Sequence, residues 1–99
     1  MMHTFDPQRA TKYGVNAAVL FEDILANSLT YHDGRHWLRS SVRQFRENHP
    51  YMSTKAINNA LKTLADAGQI AVGNFNDDPH DRTLWYAVRD ERYLRQFGR

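Results

Sequence analysis

The residues of this chain best suited to chemistry lie in one stretch, STKAINNALKTLADAG, running from Ser53 to Gly68. Lys55, Asn58, Asn59 and Lys62 recur there at intervals of three and four, which places them on one side of a helix with 3.6 residues per turn; Thr54 stands at its start. Their chemistry is recognition rather than bond making. An asparagine amide offers an acceptor and a donor that can pair in bidentate fashion with adenine N6 and N7, and a lysine ammonium neutralises phosphate or contacts guanine. Two adjacent asparagines with a lysine one turn away on either side make a surface able to read a duplex.

Other chemistries find less support. Five histidines are present, His3, His32, His36, His49 and His80, but none forms the i, i+4 helical pair or the His-Glu helix motif of a zinc site. His32 and His36 are four apart, yet they straddle Asp33-Gly34, a turn dipeptide. With no cysteine there is no disulfide, thiolate metal site or cysteine nucleophile, which suits a reducing cytoplasm. No nucleophile elbow, phosphate loop or paired-carboxylate constellation occurs. The expectation is a protein that is not an enzyme and needs no cofactor or metal.

A net charge of +2 over 99 residues is too small to signal nucleic acid by itself, but its distribution is uneven. From Arg35 to Lys62 six cationic residues, Arg35, Arg39, Arg43, Arg46, Lys55 and Lys62, face Glu47 alone, a net +5. From Thr63 to Glu91 two cations face six carboxylates, a net −4. Arg39 and Arg43, with Arg35 and Arg46, are candidates to grip backbone phosphates, and Arg82 stands beside the acidic stretch NDDPHD.

The elements that must position these groups follow from periodicity. Residues 1–12 read as a flexible N-terminal arm, and residues 13–99 as a single domain. Val15 to Leu29 carries Ala18, Phe21, Leu25 and Leu29 on one stripe with Ala17, Leu20 and Ile24 beside it, a helix buried around much of its girth. Asp33-Gly34 predicts a turn into a brief strand at Trp37-Leu38. Ser40 or Ser41 then caps a short helix that points Val42, Phe45 and Tyr51 inward and ends before Pro50. Ser53 caps the next helix and Gly68 closes it, with Ile57, Ala60, Leu61 and Leu64 as its apolar stripe. QIAVGNF and RTLWYAV, joined by NDDPHD, predict a β-hairpin over about 70–88, and the tail 89–99 a short helix burying Leu94 and Phe97. Trp37, Trp85, Tyr86, Phe21 and Phe45 are assigned to the core rather than to base stacking. The fold class is thus α+β, mostly helical: a winged helix-turn-helix of three helices, a C-terminal hairpin wing and a short final helix.

The pattern KYGVNAAVLFEDIL, then DGRHWLRSS, YMSTKAINNALKTLADAGQIAVGNFN and DRTLWYAV resembles the winged-helix domain at the amino terminus of phage replication-initiation (replisome-organiser) proteins, from Lys12 to Val88. The resemblance implies double-stranded DNA binding, with Thr54, Lys55, Asn58, Asn59 and Lys62 as the exposed side of a recognition helix. The hairpin tip departs from it. Asp77, Asp78 and Asp81 stand where relatives carry lysine or neutral residues, and carboxylates near phosphate repel. An alternative is therefore a protein-binding winged helix, a small phage-encoded inhibitor or adaptor docking on a host protein through the acidic wing and the tail. A homodimer through the first apolar helix or Leu94 and Phe97 is a further expectation. The longest apolar run, Ala17 to Phe21, is too short to cross a bilayer, so the expected location is the cytoplasm of a bacterial host cell, with no membrane partner.

Overall fold

The computed structural model describes residues 6–89. In chain order these form α1 (Pro7–Tyr13), α2 (Val15–Ala26), β1 (Thr30–His32), β2 (Arg35–Ser40), α3 (Val42–Asn48), α4 (Thr54–Asp66), β3 (Ile70–Gly73) and β4 (Leu84–Val88). The result is a small α+β fold with, among the described residues, four helices and one four-stranded antiparallel sheet ordered β1-β2-β4-β3.

α1 takes up the second half of the expected flexible arm, residues 7–12. Asp6 caps it, its carboxylate accepting the Gln8 N–H at 2.9 Å, and Pro7 follows at the first helical position, where its missing N–H costs nothing. Gly14, at φ 96°, closes α1 and opens α2 in a single residue. Arg9 is buried against α2, with its guanidinium carbon 3.7 Å from the Phe21 ring centroid and an ion pair to Asp6 at 3.6 Å. A cation over an aromatic face is attracted by the ring quadrupole, which lets α1 cover α2 with a charged residue.

The first hairpin is also more extensive than a brief strand. Asp33 and Gly34 both have positive φ, 50° and 77°, the two-residue turn whose twist matches that of the flanking strands. It therefore pairs residues on both sides, Thr30 with Trp37, Tyr31 with His36 and His32 with Arg35. β2 then continues to Ser40 and pairs with β4, Leu38 opposite Tyr86 and Arg39 opposite Trp85.

Side-chain alternation divides the sheet into two faces. The inner face, with Leu38, Tyr86, Ile70 and Val88, packs on the helices around Phe21, Ile24, Phe45, Ile57, Leu61 and Leu64. Each fully buried side chain of this size contributes about 1.5–3 kcal/mol by leaving water. The outer face carries Trp37, Trp85 and Ala87, with Ala71 and Phe75 against them, as a second and smaller core. Trp37, Trp85, Tyr86, Phe21 and Phe45 are all buried.

Two side chains differ from the expected inward set. Tyr51 is 68% exposed, and its neighbour Met52 takes the core position at 2%. The cause is local: the chain turns after α3, with the Met52 N–H bonded to the His49 carbonyl at 3.0 Å, and this rotates the next side chain inward. Leu29 is 71% exposed because α2 stops at Ala26, three residues before it. The short final helix expected in the tail, including Leu94 and Phe97, lies outside the described residues.

Candidate functional site

α4 is the element on which the candidate residues converge, and both of its ends are defined by sequence. The Ser53 hydroxyl accepts the Ala56 N–H at 3.0 Å. At the other end Gly68, φ 73°, lets its own N–H reach the Ala65 carbonyl and the Gln69 N–H reach that of Leu64, a paired closure that only a left-handed residue permits. Between these caps Ile57, Ala60, Leu61 and Leu64 are buried, while Thr54, Lys55, Asn58, Asn59 and Lys62 are all exposed. The helix thus separates its two residue sets cleanly. Its polar side chains lie uncovered by the described chain.

Three depressions border this face. At the N-terminal end of α4, a cleft of about 430 Å³ is lined by Val42, Arg43, Arg46, Glu47 and Thr54. Alongside Asn58, a groove of about 310 Å³ runs to Arg82 and Leu84 at the start of β4. On the other flank, beside Asn59 and Thr63, a groove of about 430 Å³ reaches Gly14, Val15 and Asn16 at the start of α2. Arg43 and Arg82 therefore stand at two edges of the α4 face, and both are exposed. Arg46 joins Arg43 in the first cleft and donates through Nε to the Met52 carbonyl at 3.3 Å, which ties α3 to the turn before α4.

Lys62 is paired within its own helix, with Nζ 2.8 Å from the Asp66 carboxylate. The hydrogen bond to Asp66 raises the Lys62 pKa, so the ammonium stays charged. Such exposed i, i+4 pairs are weak, and the side chain can exchange Asp66 for a stronger anion.

Arg39 is positioned differently from the other candidates. It leaves β2 on the outer face of the sheet, beside Trp85, and is ion-paired with Asp81 while its Nε donates to Asn76 Oδ1 at 2.8 Å. Arg35 sits next to the first turn, opposite His32. Neither lines the depressions around α4.

The connection between β3 and β4 folds back onto the sheet rather than projecting as a free tip. Phe75 inserts into the outer cluster, its ring 4.2 Å from His32, 4.9 Å from Trp37 and 5.5 Å from Trp85. Gly73 makes this possible, since a Cβ there would lie 2.6 Å from the Phe75 ring. Asp81 is drawn into the fold: its carboxylate accepts the Thr83 N–H at 3.0 Å and pairs with Arg39. The bond to Thr83, with Arg39 adding to it, holds its pKa below the usual aspartate range. Asp77 and Asp78 remain exposed.

Elsewhere, His49 at the end of α3 contacts Asp23 of α2 at 2.8 Å, and Asn27 Nδ2 donates to the other oxygen of the same carboxylate at 2.7 Å. This polar tether holds α3, and hence the cleft beside α4, against α2. His32 and His36 leave the first hairpin on opposite faces, His32 stacked on Phe75 and His36 edge-on to Tyr31.

Among the described residues no helix is long and apolar enough to cross a membrane. α2, one of the surfaces expected for a dimer, buries Ala17, Ala18, Val19, Leu20, Phe21, Ile24 and Leu25 in the fold's own interior. No protein-family model, curated protein or solved structure matches this chain.

Proposed function

We propose that this protein binds double-stranded DNA sequence-specifically, with α4 as a recognition helix lying in the major groove. In this reading α2, α3, α4 and the β3–β4 hairpin make a winged helix, and the protein is a small phage-type factor acting in replication initiation or transcriptional regulation. One observation carries it: α4 commits its whole apolar side to the interior and leaves Thr54, Lys55, Asn58, Asn59 and Lys62 uncovered on the other. A helix of this width enters the major groove, and asparagine and lysine are among the side chains that read base edges and phosphates there. Arg43, with Arg46, and Arg82 flank it with positive charge at the distance of neighbouring elements, suited to backbone contacts. The phage-type assignment rests on the resemblance of sequence alone.

The test is selection of duplexes from a random pool, repeated at higher salt. An enriched site is expected, at which Asn58→Ala or Asn59→Ala each costs about 1–3 kcal/mol, as loss of a bidentate base contact does. Lys62→Ala should weaken binding to all sequences and flatten the salt dependence by about one ion. No binding to any duplex at low salt would refute the reading.

A second reading is favoured by the exposed Asp77 and Asp78: a protein-binding module that presents this acidic corner to a basic surface on a host factor. Here Asp77→Lys with Asp78→Lys should abolish capture of the partner, while the α4 substitutions leave it unchanged.

A further inference from the structure

We propose that Asn76 is a positioning residue for DNA contact, holding Arg82 across the groove from Asn58 so that α4 and β4 grip the duplex together. The inference rests on the DNA-binding reading above and adds a device to it. The Asn76 side chain is a hub of five hydrogen bonds. Its Oδ1 accepts from Arg39 Nε and from Trp85 Nε1, each at 2.8 Å. Its two Nδ2 N–H groups are shared among the Asp81 carbonyl at 3.0 Å, the Thr83 carbonyl at 2.7 Å and Asn74 Oδ1 at 2.8 Å. The orientation of the amide is dictated by these partners, because indole and guanidinium nitrogens only donate and carbonyls only accept.

The two carbonyls that Asn76 holds belong to the residues on either side of Arg82. The Asp81 carboxylate closes the same short loop by accepting the Thr83 N–H at 3.0 Å. The backbone around Arg82 is thereby fixed from the outer face of the sheet, and the Arg82 side chain is left to line the groove beside α4. That groove is bordered by Ser40, Ser41, Asn58, Arg82 and Tyr86, with one cation and no carboxylate among its lining residues. Arg82 forms no ion pair among the described residues, whereas Arg39 and Lys62 each hold an aspartate. A guanidinium without a carboxylate partner, at the edge of a recognition surface and on a fixed backbone, is suited to one phosphodiester. Fixing it in advance removes the ordering cost that a mobile loop would incur on binding. Asparagine meets the requirement because aspartate lacks the two N–H groups that the carbonyls need.

The experiment measures duplex affinity between 50 and 200 mM salt for the full chain and for Arg82→Ala, Asn76→Ala and the double variant, using an enriched duplex. Loss of one phosphate contact lowers the salt slope by about 0.9, so the affinity ratio between the two salt concentrations should shrink about 3.5-fold in Arg82→Ala. Asn76→Ala should lower the slope by the same amount and add nothing in the Arg82→Ala background. A purely structural role would instead weaken binding without changing the slope, or would add to the Arg82 effect, and either result overturns the proposal. Should Asn76→Ala not fold, the unsubstituted chain decides: the Arg82 Nε resonance must shift on saturation with duplex, and an unmoved resonance overturns the proposal. If the unsubstituted chain binds no duplex, the DNA-binding reading falls and this inference with it. If Asn58→Ala weakens binding while Arg82→Ala leaves the slope intact, this inference alone falls.

Discussion

Substitution of Gly73 by alanine tests whether the β3–β4 connection is packed down as described. The added Cβ would stand 2.6 Å from one Phe75 ring atom and 2.7 Å from another, well inside van der Waals contact, so the ring must move. It has little freedom to do so, with His32 stacked on it at 4.2 Å and the indoles of Trp37 and Trp85 edge-on at 4.9 and 5.5 Å. Removing the ring altogether, in Phe75→Ala, sets the upper bound on the damage. A fully buried phenylalanine costs about 3–5 kcal/mol on truncation to alanine, and Phe75 is only partly buried, so a loss of about 2 kcal/mol is expected. In a domain of this size that lowers the Tm by roughly 8–16 °C. Gly73→Ala should cost up to as much, because the worst it can do is displace the ring. Once the ring is gone, the same Cβ meets none of it, and Gly73→Ala in the Phe75→Ala background should be nearly neutral. The assay is thermal and urea unfolding of the four proteins, followed by tryptophan fluorescence. Additive losses, or a Gly73→Ala variant as stable as the parent, would show that Phe75 does not lie over the sheet and that the connection projects freely.

Glu22 is raised above the usual glutamate range, chiefly because burial disfavours its charge, with Arg9 partly opposing. A carboxyl whose folded pKa is raised binds more protons when folded, so its ionisation lowers stability as pH climbs through the ordinary glutamate range to the raised value. Glu22→Gln is therefore expected to raise the Tm at neutral pH, with the gain disappearing on acidification below that range; equal melting at every pH would contradict this. Ser53→Ala removes the hydroxyl that accepts the Ala56 N–H and should cost about 1 kcal/mol in urea unfolding, whereas Ser53→Asp should keep most of the stability.

The sequence made α4 readable because caps, periodicity and polarity all agree: Ser53, Gly68, the aliphatic set and its polar opposite belong to one segment and need no distant partner. The hairpin around 70–88 was legible for the same reason. α1 was missed although Asp6-Pro7 is a helix-start signal, because a seven-residue helix carries little periodicity and its buried residue is an arginine. β1 was missed although the symmetrical spacing about Asp33-Gly34 asks for a partner strand, because Leu29, Thr30 and Tyr31 are exposed and show no buried alternation. Arg39 looked like Arg43 from composition. Their difference comes from strand parity and from Asp81, a partner that only the closed sheet brings near. Asn76 left no trace in the sequence, since an asparagine among turn formers is unremarkable until its five partners are assembled.

The strand order carries a kinetic consequence. β2 is joined to β1 by a two-residue turn, whereas its other edge pairs with β4, which lies beyond α3, α4 and β3 in the chain. Distant pairings of this kind form late, since loop entropy is lost before contacts compensate for it. The two tryptophans of the chain sit on those two strands, Trp37 on one and Trp85 on the other, and meet in the outer cluster only when the sheet closes. Intrinsic fluorescence in a refolding experiment should thus time the final event of assembly, while the helical signal, drawn from local contacts, rises ahead of it.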